Sequence, residues 1–75
     1  MKGGDGMAYD YSKLRGRIVE KFGTQKRFAD AMDMSERTLT LKLSNKREFK
    51  QSEIIKACAL LGIAMEDSGR YFFAV

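Results

Sequence analysis

The chain has 75 residues, 44% hydrophobic and 32% charged, with 14 Lys+Arg against 10 Asp+Glu. That length holds one small domain, and no apolar run approaches the roughly 20 residues that span a bilayer. With no His, no Pro and a single Cys, an internal disulfide, a zinc site and the usual histidine general base are all excluded.

The chain opens MKGGDG. Three glycines with no apolar anchor predict a disordered leader over residues 1–8, and the folded domain is expected over 9–75. Met7 is a second candidate start. No signal-peptide core is present, so a reduced, cytoplasmic setting is expected.

Residues 11–22, YSKLRGRIVEKF, place Leu14, Ile18 and Phe22 at i, i+4 and i+8, one turn after Tyr11. This is the stripe of an amphipathic helix. Gly16 weakens it by roughly 1 kcal/mol relative to Ala, which suggests that a neighbour approaches closely there. Gly23 is placed to end it. Thr24 then caps a second helix, TQKRFADAM, with Phe28, Ala29 and Met32 inward. Ser35 caps a third, SERTLTLKLSN, with Leu39 and Leu43 inward and Arg37, Thr38, Leu41 and Asn45 opposite.

SNKREFK is a polar, basic loop anchored by Phe49. A fourth helix starts near Gln51, with Glu53 in its first turn and Ile54, Ile55, Cys58 and Leu61 on a broad apolar face. Cys58 reads as a small buried hydrophobe. Gly62 stops this helix and Ile63 returns to the core. A short last helix is expected near Glu66–Phe73, ending in Tyr71-Phe72-Phe73, a cluster suited to the core or to a dimer seam. The expectation is an all-α fold, one compact domain of four to five helices.

The charge is uneven. Residues 13–50 hold eleven basic and five acidic groups, net +6, while residues 1–12 and 51–75 are each −1. A field concentrated in one segment suits a polyanion, although solvated helix faces produce the same count.

The spacing from Gln25 to Lys46 is the informative part. A short helix, a brief turn and a second capped helix match a helix-turn-helix. Ala29 is small where the next helix crosses, Met34 plugs the turn and Leu39 seats the second helix. Asp33 occupies the turn position that Gly usually takes, and Asp tolerates the left-handed conformation. With TQKRFADAMDMSERTLTLKLSNK, FKQSEIIKACALLGI and the terminal YFF, the chain resembles the lambda-repressor-like helix-turn-helix domains of phage repressors and Cro proteins from about Tyr11 to Phe73. It is especially similar to small phage proteins with a helix of the form SxRTLxLKLxNK. One departure is Lys42, where the family often has an apolar residue; it implies a slightly rotated recognition helix, with Leu43 taking over the packing.

The resemblance implies a Cro- or repressor-like transcriptional regulator, with helix 35–45 in the major groove of double-stranded DNA. Its DNA-binding residues would be Gln25, Lys26, Ser35, Glu36, Arg37, Thr38, Thr40, Leu41, Lys42, Asn45, Lys46 and Arg47. Gln25 would hold a phosphate at the first motif helix. Arg37 would pair with guanine, Glu36 accept from cytosine and Leu41 touch a thymine methyl. Thr38 and Thr40 would reach phosphate or base, and Lys42, Asn45, Lys46 and Arg47 the backbone. A homodimer on a pseudo-palindromic operator is expected, neutralising about four or five phosphates per subunit. No cofactor, no membrane, no small-molecule effector and no catalytic site are expected, in a bacterial host cell if the gene is phage-borne. The competing reading is a protein-interaction module on the same fold, antirepressor or antitoxin-like, motivated by the terminal aromatics and by Leu41.

Overall fold

The computed structural model describes residues 8–75; the leader expected over residues 1–8 lies outside them except for Ala8. Among the described residues the chain forms five α-helices, α1 (Ser12–Phe22), α2 (Gln25–Ala31), α3 (Glu36–Leu43), α4 (Gln51–Leu61) and α5 (Ser68–Phe72), with a 3-10 turn at Met65–Asp67 and no strand. The fold is all-α, as the periodicity predicts. Among the described residues no helix is long and apolar enough to cross a membrane.

α1 is the central element and packs against α2, α4 and α5. Tyr11, Leu14 and Ile18 are its buried stripe, while Phe22 is half-buried. The Asp10 carboxylate accepts the Ser12 N–H at 2.9 Å and so satisfies a first-turn donor. Those bonds from Ser12 hold the Asp10 acid below its usual range. Gly23 ends the helix at φ 83°, its N–H donating to Val19 O.

The expectation of a close approach at Gly16 is overturned. A methyl placed there meets nothing within 4 Å. Gly16→Ala is therefore expected to stabilise the domain by about 1 kcal/mol, raising Tm by roughly 4 °C in a melt followed by circular dichroism.

The Thr24 hydroxyl accepts the Arg27 N–H at 3.1 Å and caps α2. Phe28 and Ala29 point inward from this helix, both essentially without exposure. The following turn closes through Met32 N–H to Phe28 O at 2.9 Å and Met34 N–H to Ala29 O at 3.0 Å. Asp33 takes the left-handed conformation, φ 60°, where Gly would carry less strain. Lys56 of α4 reaches it at 2.8 Å, which lowers the Asp33 acid. Ser35 then caps α3, its hydroxyl accepting the Thr38 N–H at 3.0 Å.

α4 buries Ile54, Ala57, Cys58 and Leu61. Ile55, expected inside, is instead 50% exposed; one step after Ile54, it falls 100° around the wheel from the core. Cys58 is free and buried, and burial raises its thiol above the ordinary range. Gly62 stops the helix in the left-handed region, and Ile63 is buried beyond it. The last helix comes in two consecutive pieces, the 3-10 turn over Met65–Asp67 and α5, which begins at Ser68. Phe72 plugs the core and Phe73 stays half outside. Asp10 N–H donates to Ala74 O at 2.7 Å, joining the two ends of the domain.

Candidate functional site

α3 presents one committed side and one open side. Leu39, Lys42 and Leu43 are buried, Glu36, Arg37 and Thr40 are exposed, and Leu41 is half-buried. Leu41 is thus less open than the wheel implies, because the loop folds back on its carbonyl. The N–H groups of Lys46 and Arg47 both donate to Leu41 O, at 2.9 and 3.3 Å.

Several residues expected at DNA serve the fold instead. Lys42 is the clearest correction. It is 5% exposed, its ammonium 3.0 Å from Glu53 Oε1 and 3.0 Å from Glu48 O. The helix is not rotated to bring Lys42 out; the charge goes inward and is paired there. Burial alone would raise the Glu53 acid, but the Lys50 N–H, the Lys42 ammonium and the Lys50 charge outweigh it, and the acid titrates below its ordinary value.

Asn45 is likewise spent. It sits at φ 64° just past α3. Its amide oxygen accepts the Tyr9 N–H at 2.9 Å and its amide nitrogen donates to Tyr9 O at 2.9 Å. Both ends of the side chain bond the Tyr9 backbone, so it clamps the arm before α1.

Ser35 and Thr38 share a cap, the Ser35 hydroxyl also donating to Thr38 Oγ1 at 2.9 Å. The Gln25 amide nitrogen donates to Thr40 Oγ1 at 2.8 Å, and its oxygen accepts from Arg15 at 3.4 Å. Arg15 also reaches Leu43 O at 3.3 Å. This lattice ties α1, α2 and α3 together and occupies the Gln25 side chain expected at a phosphate. Lys26 is exposed and faces Asp30 at 3.4 Å, a pair worth at most about 0.5 kcal/mol.

What remains open on α3 and the following loop are Arg37, Lys46, Arg47 and Lys50, exposed and without an ion pair among the described residues, beside the exposed acids Glu36 and Glu48. The +6 of the segment shrinks to a small surplus here, because its other cations are paired, buried or on other faces.

Next to that loop lies a feature that sequence reasoning missed. A groove of about 580 Å³ runs along Tyr9, Tyr11, Phe49, Phe72 and Phe73, with Lys46 and Arg47 on its rim. Its rings meet edge to face: Tyr9–Phe73 and Tyr11–Phe49 at 5.6 Å, Phe49–Phe72 at 5.1 Å. A second hollow of about 330 Å³ shares Phe49, Ile54 and Phe73 with it. Around that hollow Ile55, Met65 and Phe73 are each about half exposed, a contiguous apolar surface of the sort that marks an interaction site. Burial, then the charges of Tyr9 and Glu48, raise the Tyr11 phenol, so it faces the groove neutral. The terminal aromatics were legible as a cluster, but Tyr9 and Phe49 join them only through tertiary contacts.

The geometry defines a small all-helical domain with a mixed surface on one side: an exposed helix, a basic loop and an aromatic groove. The chain belongs to the family described as protein of unknown function (DUF739), which matches residues 7–75. It is also similar to the modulator of repression (MOR) of the temperate bacteriophage TP901-1 from Lactococcus lactis, at 52% identity and a TM-score of 0.78, over 89% of this chain and 90% of that one. Comparison with curated proteins found no match.

Proposed function

We propose that the chain regulates phage repression as a protein-interaction module on a lambda-repressor-like helix-turn-helix fold. Its partner on this reading is a phage repressor, bound through the aromatic groove and the loop beside α3. The observation that carries the proposal is the groove itself, open aromatic and aliphatic surface rimmed by Lys46 and Arg47. Such a site suits a segment with an apolar anchor flanked by carboxylates, since aromatic and Arg residues dominate protein-binding hot spots. The similarity to a modulator of repression supports the same direction.

The test is to titrate the chain into the repressor of bacteriophage TP901-1, by calorimetry, and into the repressor–operator complex, by gel shift. The expected result is a micromolar or tighter complex and release of operator DNA. A chain that shifts a specific duplex by itself and ignores the repressor overturns this reading.

The exposed Arg37 on the outward side of α3 favours a second reading, direct reading of double-stranded DNA as a Cro-like homodimer on a pseudo-palindrome. A bidentate Arg–guanine contact contributes about 1–3 kcal/mol of discrimination. Four open cations predict a log–log salt slope of about −3.6 per subunit, at the lower end of the four or five phosphates expected from sequence.

A further inference from the structure

We infer that the buried Lys42–Glu53 pair is a positioning device, holding the basic loop and Phe49 in the one arrangement that the binding face requires. The inference rests on the reading of that face as the functional surface.

Lys42 links three parts of the chain. Its stem leaves α3 on the core side, next to Leu43. Its ammonium donates to Glu48 O in the loop at 3.0 Å and pairs with Glu53 of α4 at 3.0 Å. It also lies 5.8 Å from the centre of the Phe49 ring. Glu53 accepts the Lys50 N–H at 2.8 Å with the same Oε1. The loop between Lys46 and Lys50 is therefore gripped from both sides, its carbonyl by Lys42 and its last N–H by Glu53. Phe49, held between them, lines both hollows.

An apolar side chain at position 42 would fill the same space without desolvating a charge. Replacing a buried ion pair by apolar groups is often neutral or stabilising, so the pair is a poor means of stabilising a fold. What an apolar side chain cannot do is bond the Glu48 carbonyl. The loop's other polar restraints lie at its start, where the Lys46 and Arg47 N–H groups bond Leu41 O; without the Glu48 bond its second half loses its link to α3, and the loop would sample several arrangements. A partner would then have to order them on binding, at a cost in affinity.

The experiment is the double variant Lys42→Met with Glu53→Gln, which leaves no unpaired buried charge, read by amide hydrogen exchange and by repressor affinity. The reporters are Lys46 and Arg47, whose N–H groups bond Leu41 O, against core amides of α1 and α4. The expected result is exchange at Lys46 and Arg47 at least about tenfold faster with core amides unchanged, because local opening is separable from global unfolding. Repressor affinity should fall by a similar factor with Tm held. Equal acceleration everywhere would overturn the inference, as it would make the pair a general stabiliser, and so would no change at Lys46 and Arg47. If that double variant does not fold, Lys42→Leu with Glu53→Gln decides: Gln keeps an acceptor for the Lys50 N–H, the bond to the Glu48 carbonyl is lost, and the same selective loop acceleration is required. If the native chain binds no repressor, the functional reading fails while the exchange pattern still decides the positioning role.

Discussion

Lys46→Glu combined with Arg47→Glu is expected to weaken repressor binding by about a hundredfold, while costing the fold no more than about 1 kcal/mol. Both side chains are exposed on the rim of the aromatic groove and neither has an ion pair among the described residues. Opposing like charges across an interface cost several kcal/mol, and each 1.4 kcal/mol is tenfold in affinity. The stability cost stays small because the two cations only complement the nearby carbonyl end of α3, an effect of about 0.3–1 kcal/mol. Calorimetric titration and a thermal melt on the same sample separate the two quantities. Phe73→Ala distinguishes the competing functions. Truncating a half-exposed aromatic anchor is expected to lower repressor affinity by roughly 30-fold, the scale of a hot spot of about 2 kcal/mol. A chain that reads DNA through Arg37 would bind its operator unchanged. Binding that survives both variants would move the contact surface elsewhere on the molecule.

The second large effect is on the fold. Phe28→Ala is expected to cost about 3–5 kcal/mol, because the ring is fully buried and its removal leaves a cavity that the short helices fill only partly. Phe28 is 1% exposed and meets Phe22 edge to face at 5.3 Å, which is how α2 is seated on α1. A domain of 75 residues has about 4–11 kcal/mol of stability at the usual 0.05–0.15 kcal/mol per residue. The variant should therefore lose a large share of the native stability. Urea unfolding followed by circular dichroism gives the difference directly, and a loss below about 1 kcal/mol would mean that α2 is held by other contacts. Phe22→Ala, at a half-buried position, should cost less.

Much of the fold was legible because the relevant signals are local. Leu14 and Ile18 recur at helical spacing, Thr24 and Ser35 bond N–H groups three residues on, and Gly23 and Gly62 adopt the left-handed backbone that stops a helix. Each is an interaction within one or two turns, so residue type and offset are enough to specify it. The left-handed Asp33 was legible on the same terms. Asn45 was half legible: Asn just past a helix is a known left-handed terminator, yet its position in a basic run pointed toward phosphate.

The candidate site was harder. Its outward residues Arg37, Lys46 and Arg47 lie where the pattern put them, but Lys42 shows the limit of a wheel drawn from hydrophobicity. A lysine on an apolar stripe reads as exposed because an unpaired buried ammonium is too costly. Here a carboxylate eleven residues later and a loop carbonyl remove that cost.

The lack of histidine and the single cysteine, the +6 of residues 13–50 and the order of four or five short helices are properties of the sequence alone. They depend on residue identity or on neighbours within about four positions. Which charges remain free is a different kind of fact. Arg15 meets Gln25 and Leu43, Lys56 meets Asp33, Asn45 meets Tyr9, and Lys42 meets Glu53. These partners are brought together by chain folding across 10 to 36 positions. The aromatic groove is the same kind of product, since Tyr9, Phe49 and Phe73 share a wall only once α1, α4 and α5 have packed. Tertiary structure alone decided the surface, because pairing and burial depend on distance in space, which spacing along the chain does not encode.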